Sequence, residues 1–382
     1  MKKKIIRITT VPLSLDVFCR GLLRELSEEY EVVAVSSPGP LLDEVARREG
    51  VRTAAVPMER RIAPLKDIAS LWRLVRLFRK ERPDMVHSMT PKAGLLSMMA
   101  ARLTGVPVRL HTFTGLVFPS MTGMRRRLLE LTDRLTAACA THIVPEGEGV
   151  RDDLLRFGIT RKPLRVLGYG NVRGIDLDWY DRTPEVLGEA ESLRRRFGIG
   201  PDAFTFVFVG RLVADKGIRE LTDAFFRLWE EGRKVHLLLC GETEAEDPLP
   251  DSTRHRMETC PCIHFSAGWL SDVRPWYAAA DALVHSSYRE GFPNTVIEAG
   301  AMRLPCIVTD INGSREIIRD GENGRIVPPR DEEALYGAMK AFLEDPDALR
   351  VMSMRARKMV ATRFEQGYVR SCLKDFYHEI LV

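Results

Sequence analysis

Ala282-Leu-Val-His285-Ser-Ser-Tyr-Arg-Glu290-Gly-Phe-Pro-Asn-Thr-Val-Ile-Glu298 passes from a short apolar run, through a polar loop with glycine and proline, into a segment of helical character. A run of four bounded by turn chemistry suits a strand buried on both faces. Pro293 suits the first turn of a helix expected over Val296–Met302, where a missing N–H costs nothing and φ is already helical. Strand, loop and helix in this order form the repeating unit of a parallel sheet with crossover helices.

The alternation extends in both directions. In the second half, Phe204–Val209, Val235–Leu239, Ile263–Phe265, Ile307–Thr309 and Arg325–Val327 also read as strands. In the first half the expected strands are Ile5–Ile8, Val32–Val35, Met85–His87, Val108–Thr112, Ile143–Val144 and Arg165–Leu167. Helical segments fill the gaps. In Asp67–Arg82, for example, Ile68, Leu71, Trp72, Val75 and Phe78 fall at helical spacing opposite Arg73, Arg76, Arg79 and Lys80. A length of 382 residues suits two domains. The expected fold is α/β, with two successive doubly wound, Rossmann-like domains: 1–170 and 171–364, and a terminal helix over about 365–382 packing back on the first. The seam is expected near Gly170–Asp181, where periodicity is lost. Ligands of open parallel sheets gather outside the carboxyl ends of the strands, so chemistry is expected in a cleft between two facing sheets.

Composition narrows the class. Hydrophobic residues at 45% and charged residues at 29% exclude a disordered or fibrous chain. No apolar run approaches the roughly 18–20 residues that cross a bilayer. The basic start Met1-Lys-Lys-Lys is followed by an apolar stretch cut at Arg7, with no small-residue cleavage site, so it does not read as a signal peptide. Seven cysteines, an odd number, read as reduced thiols, and the cytoplasm is the expected compartment. The net charge of +4 conceals a split: residues 1–165 hold 29 Lys and Arg against 18 Asp and Glu, while the rest hold 28 against 35. The basic half is expected to meet a different partner from the acidic half.

The loop before the helix at Pro293 carries the chemistry. The N–H groups of Gly291, Phe292, Asn294 and Thr295 lie at a helix start, with the positive end of the helix dipole behind them, an arrangement that suits a diphosphate. Glu290 precedes this site and Glu298 lies about one helical turn beyond it; carboxylates accept hydrogen bonds from vicinal hydroxyls, one serving a sugar ring and the other a ribose. The strand Phe204–Val209 delivers Gly210, Arg211 and Lys216 at its carboxyl end. An arginine fork and a lysine point charge are the two usual ways to hold phosphate oxygens.

Gly210-Arg211, Lys216-Gly217, Gly241 and the pair Glu290 and Glu298 together resemble the nucleotide-sugar half of the retaining family 4 glycosyltransferases, which have the GT-B fold. His87-Ser-Met-Thr-Pro-Lys92-Ala-Gly94, His111-Thr-Phe-Thr114-Gly115 and Gly170-Asn-Val-Arg-Gly-Ile-Asp176 resemble the branch acting in bacterial capsule and O-antigen assembly. The resemblance implies that Arg211 and Lys216 grip the diphosphate, that Glu298 takes the ribose, and that Glu290 with the backbone of Gly291, Phe292, Pro293, Asn294 and Thr295 takes the donor sugar. It implies transfer of a hexose or N-acetylhexosamine from a nucleoside diphosphate, UDP first, with retention of configuration by same-face attack. Thr10, Ser14, His87, Lys92, His111, Thr114 and Gly115 would lie on the acceptor side. The acceptor would be a glycan, soluble or carried on a polyprenyl diphosphate. No cofactor, metal or nucleic-acid partner is expected. The loop Thr9–Ser14 carries hydroxyls where many members have glycines, and Thr114 stands where many have a histidine.

Other readings compete. An epimerase or hydrolase of nucleotide sugars would use the same donor residues, and an exported two-domain sugar-binding protein would share the architecture. Gly168-Tyr-Gly170-Asn-Val-Arg-Gly174 has one residue too many for a dinucleotide fingerprint. Asp176-Leu-Asp178 has the form of a metal motif but lies in the seam, and Cys260-Pro-Cys262-Ile-His264 has too close a cysteine spacing for zinc. The helices Asp67–Arg82 and Gly123–Ala138, the latter with Arg125-Arg126-Arg127, would together suit an anionic membrane surface. Their apolar stripes also suit packing on a sheet.

Overall fold

The computed structural model describes residues 2–244, 247–268 and 270–381; Met1 and Val382, at the bounds of the expected domains, lie outside them. The chain forms two compact units, Met1–Gly174 with Gly367–Val382, and Ile175–Gln366. The helix Gln366–Ile380 therefore belongs almost wholly to the first unit.

In the first unit the strands are β1 (Lys4–Ile8), β2 (Glu31–Ser36), β3 (Arg52–Ala55), β4 (Met85–Ser88), β5 (Val108–Phe113) and β6 (His142–Pro145), in the order β3-β2-β1-β4-β5-β6. In the second they are β7 (Phe204–Val209), β8 (Val235–Cys240), β9 (Ile263–Phe265), β10 (Ala282–His285), β11 (Cys306–Thr309) and β12 (Gly324–Val327), in the order β12-β11-β10-β7-β8-β9. The pairings within each sheet are parallel. Two expectations are corrected. Arg52–Ala55 is a strand although its sequence Arg-Thr-Ala-Ala has no apolar run, because an edge strand needs only one neighbour. Arg165–Leu167 is not a strand; the chain there makes a single bridge, from Ile143 to Leu164.

Each sheet is covered on both faces. In the first unit, Leu74, Val75 and Phe78 of the helix Pro64–Glu81 and Ala93, Leu96 and Ala100 of the helix Pro91–Leu103 fill one face. Leu22, Leu23 and Leu26 of the helix Leu22–Glu29, with Leu373, Phe376 and Tyr377 of the terminal helix, fill the other. In both sheets the strand order reverses beside the first strand, so β1 lies between β2 and β4, and β7 between β8 and β10. Crossovers leave in opposite directions at such a point, and the carboxyl ends of the two strands stay uncovered.

Under the first switch point lies a buried charge. Arg7 of β1 faces His87 of β4 in register, is 1% exposed and forms no ion pair among the described residues. Its guanidinium contacts His87 Nδ1, donates to the Tyr377 hydroxyl at 2.6 Å, and lies 2.8 Å from Met89 Sδ. The Tyr377 hydroxyl also lies 2.5 Å from His87 Nδ1. Burial and the Arg7 charge push the His87 pKa well below its usual value, so the ring is neutral and can accept. Burial pushes the Tyr377 phenol up to about 12, so it remains a hydroxyl. Arg7, His87, Glu146 and Leu373 border a cavity of about 20 Å³, room for about one water. A buried cation with no ion pair among the described residues depends on the dipoles that reach it. Tyr377→Phe is expected to lower stability by about 1–3 kcal/mol in denaturant unfolding, the cost of leaving a buried donor unpaired; an unchanged midpoint would show that Arg7 finds another partner.

Under the second switch point the backbone of two loops nearly touches. Gly217, at φ 64°, ends the turn Ala214–Lys216, and a Cβ there would lie 2.1 Å from the Ser286 carbonyl oxygen just beyond β10. Only glycine permits this approach. Gly232 has a similar φ of 75° but no atom within 4 Å of its Cβ position, so it isolates the cost of φ alone. Gly217→Ala is expected to lower the thermal midpoint well beyond the shift from Gly232→Ala; equal shifts would show that the loops separate freely.

Candidate active site

The residues beyond β7 and β10 form one assembly. Ser286 Oγ donates to the Lys216 carbonyl at 2.9 Å, the Tyr288 N–H to the Asp215 carbonyl at 3.0 Å, and Arg289 Nε pairs with Asp215 at 2.9 Å. Tyr288 extends the clamp by donating its hydroxyl to Glu220 at 2.5 Å on the helix Ile218–Glu230. Thr309 at the end of β11 donates to the Ser287 carbonyl at 2.5 Å. The clamp brings Lys216 and Glu290 into an ion pair, with His285 Nε2 3.5 Å from the same carboxylate oxygen. Burial alone would raise the Glu290 carboxyl; His285 and Lys216 outweigh it and hold the pKa down at about 2. The carboxylate is therefore an acceptor across the working pH range.

Glu290 leads into the helix Asn294–Ala301, which starts two residues earlier than the apolar pattern implied. Pro293 is the residue before its first turn rather than within it. Phe292 is buried and meets Phe364 edge to face at 5.4 Å, so its ring anchors the loop and its backbone remains beside the helix start. Gly313 packs under the loop: a Cβ there would lie 2.6 Å from Phe292 Cα and 2.7 Å from the Gly291 carbonyl oxygen. Glu298 is on the inner side of the helix, 7% exposed, and accepts a hydrogen bond from the buried Tyr277 hydroxyl at 3.1 Å. Arg211 is half exposed and pairs with Glu244 at 2.5 Å. Gly210 and Gly241 directly follow the neighbouring strands β7 and β8, and a Cβ on Gly241 would lie 1.8 Å from the Gly210 carbonyl oxygen.

Tyr277, Glu244 and Gly313 were not singled out in the sequence, and His285 was read there only as the end of a strand and as local variation. Asn312-Gly313 after β11 carried a turn signal that a search of every strand's carboxyl end would have found. Tyr277 carried none, because one tyrosine in a short apolar helix looks like core.

In the first unit the sequence-derived residues divide. Thr10, beyond β1, exchanges a 2.7 Å hydroxyl contact with Thr90 beyond β4 and accepts from the Ala93 N–H at 3.2 Å, joining the two strand ends at the switch point. Ser14 lies in the first turn of the helix Pro12–Cys19. Thr114 donates to the Met89 carbonyl at 3.4 Å, and Gly115 follows at φ 109°. The other three are committed to packing. His87 belongs to the Arg7 cluster and also meets Thr112 Oγ1 at 2.8 Å. His111 is buried against Ser88 Oγ at 2.7 Å, its pKa pushed down to about 3 by burial. Lys92 pairs with Asp67 at 2.5 Å and donates to the Arg61 carbonyl, tying two helices together.

The competing motifs have structural explanations. Asp176 Oδ1 accepts the N–H groups of Asp178 and Trp179, both at 3.0 Å, which makes Asp176-Leu-Asp178 a capped turn. Asn171, at φ 64°, accepts from Arg173 and Gly174 and shapes the would-be fingerprint. His264 stacks between Phe197 and His236, and among the described residues no group of three or more His, Cys, Asp and Glu could hold a metal ion. No helix among them is long and apolar enough to cross a membrane.

Residues 189–359 match the family of glycosyl transferases group 1, and residues 15–170 match the glycosyl transferase 4-like domain. The capsular polysaccharide biosynthesis glycosyltransferase CapM of Staphylococcus aureus is 30% identical over 381 residues, covering 99% of this chain and 98% of that protein. The UDP-Gal:alpha-D-GlcNAc-diphosphoundecaprenol alpha-1,3-galactosyltransferase of Escherichia coli is 26% identical, covering 100% and 98%. Among solved structures, HepE of Anabaena in complex with UDP superposes with a TM-score of 0.81 at 15% identity, covering 99% of this chain and 100% of that one. The chain belongs to the group 1, family 4-like glycosyltransferases, with two Rossmann-like units of the GT-B fold.

Proposed function

We propose that this glycosyltransferase moves a hexose or N-acetylhexosamine from UDP to a growing glycan on a lipid diphosphate, in the synthesis of a cell-surface polysaccharide. The observation that carries the donor assignment is the clamp at β7 and β10, which sets a lysine, an ionised glutamate and a helix start side by side. The names of the capsule and diphosphoundecaprenol relatives support the acceptor class.

Lys216 and Arg211 neutralise the diphosphate as the glycosidic bond breaks, with the helix start at Asn294 adding partial positive charge. Arg211 must exchange Glu244 for phosphate, and its half-exposed position allows the swing. Glu290, already ionised, accepts from the sugar hydroxyls without a proton to lose, aided by the backbone of Gly291–Thr295. Glu298, with Tyr277 on one oxygen, offers its carboxylate to the ribose. Gly210 and Gly241 leave room for the nucleotide. The departing phosphate takes the acceptor proton on the same face, so the anomeric configuration is retained and no dedicated protein base is needed. Cationic side chains and backbone dipoles supply the charge that a metal would otherwise bring.

The first unit takes the acceptor. Thr10, Ser14, Thr114 and Gly115 receive it at the ends of β1 and β5, and His87, Lys92 and His111 fix these loops from below. The excess of 29 basic over 18 acidic residues in 1–165 holds this unit at an anionic membrane surface, on the cytoplasmic side, where such an acceptor is anchored.

Arg211→Ala and Lys216→Ala are each expected to cut turnover by about 10²-fold or more, since a lost charge contact to a developing anion is worth roughly 3 kcal/mol; near-normal turnover in both would sink the donor assignment. Glu298→Ala should weaken binding of UDP alone in calorimetry, whereas Glu290→Ala should spare it and damage transfer. Equal loss of UDP in the two would end the division of roles. The product's anomeric coupling constant should match the donor's, and EDTA should leave the rate unchanged; inversion or loss of activity would refute retention or metal independence respectively.

A further inference from the structure

The helix Gly123–Cys139 turns its apolar side outward. Met124, Leu128, Leu131 and Leu135 are 86, 42, 62 and 39% exposed, and their spacing of four, three and four residues places them on one stripe. At about 1.5 Å per residue the helix is roughly 25 Å long, so the stripe spans about three turns. Its opposite side, with Thr136, Ala137 and Cys139, packs inward. Arg125 and Arg127 flank the stripe, and none of Arg125, Arg126 and Arg127 forms an ion pair among the described residues, whereas Arg134 further along pairs with Glu130 at 2.6 Å.

The helix Pro64–Glu81 repeats the pattern. Leu65, Ile68 and Trp72 are 84, 54 and 56% exposed at i, i+3 and i+7, and the exposed Arg73, Arg76, Arg79 and Lys80 continue along the outer side. Both helices flank the helix Pro91–Leu103, in the same layer over the first sheet. The sheet therefore does not use these stripes; its core takes the other side of each helix. Two outward apolar stripes with basic borders on one layer have the chemistry of an interfacial helix pair.

We infer that Met124, Leu128, Leu131 and Leu135, together with Leu65, Ile68 and Trp72, insert between the headgroups of an anionic lipid bilayer, while the flanking arginines hold the headgroup phosphates. Charge selects this occupant over a second copy of the chain: two copies meeting through these stripes would bring Arg125 and Arg127 to like-charged borders, in a unit already basic overall. The inference deepens the reading of a lipid-carried acceptor and shares its membrane. It adds apolar insertion, which salt does not screen, to an attraction that salt does screen.

The test is sedimentation with phosphatidylcholine vesicles, with and without phosphatidylglycerol, at 0.1 M and 1 M salt on the order of those values. Wild-type protein should bind the anionic vesicles, and protein bound at low salt should be retained in part at high salt. Leu128→Ser with Leu131→Ser, both at exposed positions, should reduce binding to anionic vesicles at least tenfold while leaving the thermal midpoint, UDP affinity and transfer to a water-soluble glycan unchanged. Tryptophan fluorescence of the wild type should be quenched by vesicles with brominated acyl chains, and Trp72→Phe should remove most of that quenching. Vesicle binding by the serine variant equal to wild type would overturn insertion while leaving a charge-only membrane contact. Concentration-dependent dimers that the serine variant abolishes, with no vesicle binding, would assign the stripe to a second copy. Loss of transfer to every lipid-linked and soluble acceptor, with stripe-dependent vesicle binding intact, would refute the proposed reaction and leave this surface standing.

Discussion

The parallel pairing of β7 with β10 is the constraint on which the candidate site rests. Phe206 and Val207 lie in register with Ala282 and Leu283, so the two strands end side by side and their loops leave from one edge. Lys216 and Glu290, 74 residues apart in the chain, meet because of that pairing. The loops are then fixed to each other mainly through backbone carbonyls, taken by Ser286 and Tyr288, and by the ion pair of Arg289 with Asp215. Backbone anchoring leaves the Lys216 and Glu290 side chains for charge chemistry, and Gly217 supplies the clearance that lets the loops close.

A second charge serves a different end. Arg7 lies at the corresponding switch point of the first sheet, yet it is buried beneath the terminal helix and surrounded by neutral dipoles from His87, Tyr377 and Met89. A buried cation is poor evidence for stability as such. Its consequence is specificity of packing: the hydroxyl of Tyr377 reaches Arg7 only if the last helix returns to the first unit in one register. The same topological position thus carries an open ion pair in one unit and a sealed polar cluster in the other.

For the residues expected on the acceptor side, the structure supplies partners that residue type alone does not reveal. His87, Lys92 and His111 have the chemistry of ligand contacts, and each is engaged with protein groups. Gly94 shows why His111 is held: a Cβ there would lie 2.4 Å from the His111 ring. The exposed leucines of the helix Gly123–Cys139 pose the opposite question, since an apolar stripe at helical spacing suits a membrane surface or a sheet equally, and here it faces outward. Sequence periodicity reports that a helix has an apolar side; a helix with two such sides does not say which one the sheet covers.

The sequence by itself determined the local elements. All six strands of the second sheet were legible, because each is a short apolar run bounded by glycine, proline or charged residues, and such patterns act over a few residues. The strand-loop-helix passage through Glu290 was legible for the same reason. Strand order, the partners of Arg211 and Glu298, the burial of His87 and the existence of β3 were decided by tertiary structure alone. The physical reason is distance along the chain. Glu244 lies 33 residues from Arg211, Tyr277 lies 21 from Glu298, and Tyr377 lies 290 from His87, so no local pattern encodes these contacts; they arise when parallel strands take their places and the loops beyond them have only one way to close.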